Sequence, residues 1–227
     1  MSGALSLELV DPEAALQQAQ DGDRTSTRSE LFKKAVLGGG TFVAGGVLIG
    51  GLPKVALAAP SARQDVEILN FALTLEFLEA EFYTQAVANG ALSGELLSFA
   101  TVVRDHEVAH VEFLQNALGS AAVAKPTFDF GSTVTDAAAF TATAVVLEDT
   151  GVAAYNGQGP RLRRRLVGAA GSIVSVEARH AAWIRRIAFG PDFAERPDSF
   201  PAPVAFDPAA SMRRILRAVE ATGFIKG

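Results

Sequence analysis

The chain contains three histidines and two tyrosines, and four of these five residues belong to a pattern that occurs twice. Glu76 is followed seven residues later by Tyr83, and then comes Glu107-Val-Ala-His110. Glu148 is followed seven residues later by Tyr155, and then comes Glu177-Ala-Arg-His180. Seven residues are two helical turns and three are close to one, so each pair shares a helix face. Glu76 and Glu107 lie 31 residues apart, and Glu148 and Glu177 lie 29 apart. The chain is thereby constrained to two copies of one helical hairpin, each with a Glu–Tyr face and a Glu–His face.

The punctuation agrees. Proline is absent from 61 to 125, and apolar residues recur there with a helical period. Helix A is expected at 62–88, B at 93–118, C at 134–156 and D at 160–188. Asn89-Gly90, Gly119-Ser120, Asn156-Gly157 and Gly190-Pro191 are the stops. No segment alternates with period two, so no strand is expected. Residues 191–206 hold four prolines and read as an extended wrap. Asp207-Pro208, a cap followed by a first-turn proline, opens a short helix running to 221. Short A–B and C–D connections make antiparallel hairpins. The B–C segment, 121–133, reaches about 45 Å at most, enough to travel the length of a helix. The expected fold is all-α: a four-helix bundle with one long B–C crossover, plus an extended C-terminal tail and short helix.

The polar groups of the repeat interrupt apolar stripes. On helix A the row runs Leu69, Ala72, Glu76, Glu79, Tyr83, Ala86; on helix B it runs Leu96, Ala100, Val103, Glu107, His110, Leu114. On helix C, Ala144 or Val145, Glu148, Val152 and Tyr155 align, and on helix D Ile173, Glu177, His180 and Ile184 do. These stripes face the core, so the glutamates point inward. Four buried carboxylates require protons or cations among them. Two divalent ions would balance four glutamates and leave both histidines neutral. With no cysteine in the chain, thiolate zinc sites and thiol chemistry are excluded, and a metal must be held by oxygen and imidazole nitrogen. Such donors suit iron or manganese better than zinc. Two other readings stand beside this one. His106-Glu107-Val-Ala-His110 spells the zinc-protease motif H-E-x-x-H, although no third ligand follows at a familiar spacing and Val176 stands opposite His106 in the second copy. Alternatively, the cluster is a metal-free core in which Tyr83 and Tyr155 donate to carboxylates. Glu79, one turn past Glu76, is either an additional ligand or a helix-surface residue. His106 is a surface residue or one that supports the ligands from behind. Arg161, Arg163, Arg164 and Arg165 open helix D and read as a solvated face or a contact with acids of the tail.

The chain resembles the ferritin-like superfamily, and more closely the exported ferritin-like proteins that include plant desiccation-related proteins. The stretch Glu67-Ile-Leu-Asn-Phe-Ala-Leu-Thr-Leu-Glu-Phe-Leu-Glu-Ala-Glu-Phe-Tyr83 carries the resemblance most strongly. It extends over about 61 to 190, with a similar tail at Phe206-Asp207-Pro208. The resemblance implies that Glu76, Glu107, His110, Glu148, Glu177 and His180 are metal ligands, with Glu107 and Glu177 bridging two ions. Glu79, Tyr83, Tyr155 and His106 would support them. The implied activity is reaction of a di-iron or di-manganese centre with O2 or peroxide: ferroxidase, peroxidase or catalase-like. A non-catalytic, stress-protective metal-binding bundle is the alternative.

The first sixty residues read as an address. Residues 1–30 are polar with mixed charge; Arg28, Lys33 and Lys34 precede an uncharged stretch, 35–52, and Ala56-Leu57-Ala58 follows as a small-x-small cleavage triplet. Seven glycines keep the apolar stretch weakly hydrophobic, which resembles a twin-arginine signal; Ser29 stands where the second arginine belongs. Export to the periplasm, envelope or exterior is expected, for metal handling or oxidant defence. The competing expectation is membrane association through residues 35–52, which as a helix would be about 27 Å long. The domain reading is 1–58 lead-in and signal or anchor, 59–190 bundle, and 191–227 wrap and terminal helix. A formal charge of −5 gives no reason to expect a nucleic-acid partner. Nothing in the sequence sets an oligomeric state, but the leader and tail would obstruct packing into a cage.

Overall fold

A computed structural model describes residues 60–190 and 201–226. The expected leader, its cleavage site and the first part of the proline-rich wrap, 191–200, lie outside the described residues. Four long helices make the body: α1 (Ala62–Asn89), α2 (Gly94–Leu118), α3 (Ala137–Gln158) and α4 (Arg164–Phe189). A fifth, α5 (Met212–Thr222), follows in the tail.

Each boundary has a local cause. Ser61 caps α1, its hydroxyl accepting from Gln64 N at 3.1 Å, and Asp136 caps α3 by accepting from Ala139 N at 2.7 Å. Gly90 ends α1 in the left-handed region at φ 71°, which a side chain would disfavour. The tail helix begins later than Asp207-Pro208 suggests. Ser211 is its cap, with its hydroxyl accepting from Arg214 N at 3.4 Å. Residues before Ser211 are instead held to α3: Ala210 N donates to Ala153 O at 2.9 Å, and Gln158 Nε2 donates to Ala210 O at 3.2 Å.

The hairpins α1–α2 and α3–α4 pack most intimately, and α2 meets α4 while α1 meets α3 across the bundle. The crossover from α2 to α3 is tethered at its start by Asn70 on α1. That side chain donates to Ala121 O and accepts from Val123 N, both at 2.8 Å. The crossover also contains a strand that the sequence pattern does not announce. β1 (Thr127–Phe128) pairs antiparallel with β2 (Ile225–Lys226), with Thr127 opposite Lys226 and Phe128 opposite Ile225. Two-residue strands are too short to show alternation.

The core has two parts. The larger includes the aromatic group Phe82, Tyr83, Phe99 and Phe140, all fully enclosed; Phe82 stacks on Phe140 at 5.1 Å between centroids. The smaller gathers Ala72, Leu73, Phe77, Leu114, Leu118 and Ile173. On α1, α2 and α4 these layers bracket the glutamates of the repeat.

The arginines at the start of α4 do not all face solvent. Arg163 N and Nε donate to the two oxygens of Asp65 at 3.0 and 2.5 Å, and Asp65 is 3% exposed. The acid comes from the first turn of α1, not from the tail. Burial alone would raise the Asp65 carboxyl, but the hydrogen bonds and charge of Arg163 outweigh it and hold the group below its ordinary value. Removing the carboxylate in Asp65→Ala should cost about 2 kcal/mol, read as a lower denaturant midpoint at unchanged slope. Because the folded value is depressed, the stabilisation is present above the unfolded value of about 3.9 and is lost as pH falls. The gap between wild type and variant should therefore close below about pH 4.

The seat of the tail on α3 allows a second test. A Cβ added at Gly157 would stand 1.9 Å from Ala210 O, a backbone atom. Gly157→Ala should lift residues 201–226 from the bundle, raising their hydrogen exchange while that of α1 and α2 stays unchanged.

Candidate metal centre

Glu76, Glu107, Glu148 and Glu177 each sit near the midpoint of their helix. All four are 0% exposed. The antiparallel hairpins bring the four midpoints to one level, so repeat spacing along the chain becomes convergence in space.

The six repeated Glu and His residues come together as two overlapping sets. One is Glu76, Glu107, His110 and Glu177; the other is Glu107, Glu148, Glu177 and His180. Within each set the candidate donor atoms lie within 4.8 Å of one another. Glu107 and Glu177 belong to both. His110 Nδ1 stands 3.2 Å from Glu76 Oε2, 3.1 Å from Glu107 Oε2 and 3.2 Å from Glu177 Oε1. His180 Nδ1 stands 3.1 Å from Glu107 Oε1 and 3.3 Å from Glu148 Oε2. One N–H cannot serve three carboxylates. The unmet demand is visible: Glu107 Oε1, Glu148 Oε2, both oxygens of Glu177 and His180 Nδ1 are buried with no hydrogen-bond partner. Orphaned groups of this kind cost stability unless something fills the space between them.

The tyrosines hold the outer carboxylates, each across the hairpin boundary. Tyr83 of α1 donates to Glu148 Oε1 on α3, and Tyr155 of α3 donates to Glu76 Oε1 on α1. Burial and the adjacent carboxylate keep both phenols protonated well above their ordinary range. This much agrees with a hydrogen-bonded, metal-free core, but the five orphaned atoms do not.

Glu79 is 3% exposed, so it is not a helix-surface residue. It lies outside both sets, as a fifth carboxylate beside them. Gly151 on α3 makes room: a Cβ there would stand 3.1 Å from Glu177 Oε2 and 3.4 Å from Glu79 Oε1. Its proton affinity is raised: burial first, then the charges of Glu177, Glu148, Glu107 and Glu76, hold the Glu79 carboxyl well above its usual value.

His106 is exposed and belongs to neither set. Its Nδ1 lies 2.8 Å from His180 Nε2, and the rings stack at 5.1 Å between centroids. The zinc-protease reading needs His106 and His110 on one ion, whereas His106 lies behind the other histidine. Desolvation and the neighbouring imidazoles lower its affinity for a proton. A neutral His106 can orient His180 through this contact. Position 176 offers no such group to the other half-site, so the two sets are not equivalent.

Electrostatics favour cations. Burial raises the Glu177 carboxyl to about 8, eased by His110 and reinforced by Glu76 and Glu148. Burial and the charges of Glu177 and Glu76 also raise Glu107. Burial opposes charge on His110, but Glu107, Glu177 and Glu76 outweigh it and raise its proton affinity far above the usual imidazole range. Against burial, His110, Glu107 and Tyr155 hold Glu76 below its ordinary value. The donor set, four carboxylates and two imidazoles around orphaned atoms, fits two divalent ions.

The family model described as a ferritin-like domain matches residues 64–189, which include every residue of the centre. No curated protein sequence matches the chain significantly.

The raised carboxyls have a consequence for stability. A folded value of about 8 against an unfolded value of about 4.3 means that Glu177 binds more protons folded than unfolded across that window. Its contribution is full below about pH 4.3 and is lost as pH rises through 8. Glu79 and Glu107 act in the same direction. Chelator-treated protein should melt lower at pH 8 than at pH 5.5, and Glu177→Gln should reduce that difference in a calorimeter.

Proposed function

Because the chain belongs to the ferritin-like domain family, we propose that it holds a pair of divalent iron or manganese ions in the Glu/His centre and uses them to react with O2 or peroxide. The observation that carries this reading is the pair of four-residue sets sharing Glu107 and Glu177 around buried, partnerless donor atoms. When bound, the ions supply the electrons that reduce the oxidant.

The chain's own residues have distinct tasks. Glu107 and Glu177, common to both sets, would be the carboxylates shared between the two ions. Glu76 and Glu148 would each hold one, and the hydroxyls of Tyr155 and Tyr83 fix their orientation. His110 and His180 add one nitrogen each, and His106 steadies the second. The aromatic group around Phe82, Phe99 and Phe140 keeps bulk water from one side of the centre. Glu79 lies beside the two sets as a further buried carboxyl, its proton affinity raised by burial and by the neighbouring carboxylates. The leader read from residues 27–58 supports an extracytoplasmic role in metal handling or oxidant defence.

Equilibrium dialysis of chelator-treated protein under nitrogen, against Fe(II) or Mn(II), should give two ions per chain. Glu107→Ala combined with His180→Ala should abolish uptake while the helical circular-dichroism spectrum stays. Fe(II)-loaded protein should then consume O2 or peroxide. Absence of saturable uptake in the wild type would overturn the metal reading. Bound metal without oxidant consumption would leave a non-catalytic, stress-protective metal-binding bundle.

A further inference from the structure

A cavity of about 40 Å³ opens among all four long helices, close beside the centre. The register of the helices places it there. Ala72 lines it four residues before Glu76, Leu114 four after His110, and Ile173 four before Glu177. Each is one helical turn from a residue of the centre, toward the same end of the bundle. Tyr155 also lines the cavity, and its hydroxyl donates to Glu76. The space and the centre therefore share a wall.

That wall offers nothing polar. Of the lining side chains only Tyr155 and Gln158 carry polar atoms, and those atoms are engaged elsewhere. Tyr155 is bound to Glu76, Gln158 Nε2 donates to Ala210 O at 3.2 Å, and Gln158 Oε1 accepts from Arg161 at 2.7 Å. The pocket opens past the exposed Phe113 and Ala117, but a water needs two to four partners and the lining offers it none, so water is held weakly inside. Hydrogen peroxide, a donor and acceptor at both ends, is disfavoured for the same reason. The volume is far below the roughly 150 Å³ that takes an aromatic ring. What remains is a small, uncharged, apolar molecule.

We infer that this cavity holds molecular oxygen next to the centre, and that it makes O2 rather than peroxide the oxidant the protein is built to receive. The inference rests on the di-metal reading above. The sequence keeps the space open with short side chains on α4. Ala169 and Ala170 line it.

Xenon is a small apolar probe that enters cavities of this type. Crystals of the full chain pressurised with xenon should show one atom between Ala72, Leu114 and Ile173. Ala170→Leu should exclude it, keep two ions per chain in dialysis, slow O2-driven oxidation of bound Fe(II) at least tenfold and leave peroxide-driven oxidation unchanged. Ala170→Val, a smaller filling, should slow the O2 reaction by an intermediate factor, and it replaces Ala170→Leu if leucine prevents folding. Failure of the wild type to take up metal would overturn the reading of the centre, whatever xenon does. A loaded centre with no xenon in the cavity, an unchanged O2 rate in the filled variant, or equal slowing with O2 and peroxide would overturn the role of the cavity alone.

Discussion

Five carboxylates enclosed in one helical interior are the constraint around which the molecule is organised. Bare anions at that depth would repel one another in a medium that screens poorly, so each must find a proton, a donor or a cation. Every neighbouring feature answers part of this demand. Two phenols donate to the outer glutamates, His110 lies among three carboxylates, and the proton affinity of Glu79 is raised. What is left over is concentrated on Glu107, Glu177, Glu148 and His180, where the donor atoms converge. A bundle optimised for stability alone would carry leucine at these rungs. Aromatic residues on one side and aliphatic ones on the other supply the burial that offsets the polar centre.

The duplication of the hairpin explains the overlap of the two sets. Each copy contributes a Glu–Tyr helix and a Glu–His helix, but neither copy forms a complete set alone. Glu177 of the second copy completes the set around His110, and Glu107 of the first completes the set around His180. The tyrosines also reach across, from α1 to Glu148 and from α3 to Glu76. The copies are interlocked at the centre by chemistry and not only by apolar contact. The symmetry is broken where His106 has Val176 as its counterpart, and where Glu79 has Gly151.

The six converging residues were legible in the sequence because helical period converts spacing into direction, and because histidine and tyrosine are rare here. The helix starts at Ala62 and Gly94 were legible to within a residue. Other features were not. Glu79 reads equally as a surface residue, since one turn beyond Glu76 lies near the edge of the buried face, and the room that Gly151 makes for it is visible only in the packed bundle. Asp65 and Arg163 are 98 residues apart in sequence, and no local pattern joins them. Asp207-Pro208 is a sound start signal for a helix, but the docking of Ala210 on α3 overrides it and Ser211 takes the cap. The cavity beside Tyr155 arises where small side chains of α4 face three other helices, a property of packing that no single stretch of chain contains.

The short pairing of β1 with β2 has a consequence for the order of assembly. Thr127 meets Lys226 across 99 residues of chain, whereas each hairpin closes over a connection of only a few residues. Local hairpins form quickly, and contacts between distant segments carry a larger entropic toll. The clasp is therefore a latecomer that seals a bundle already standing. Slowing or cutting it would leave the interior assembled while the crossover loses its outer anchor.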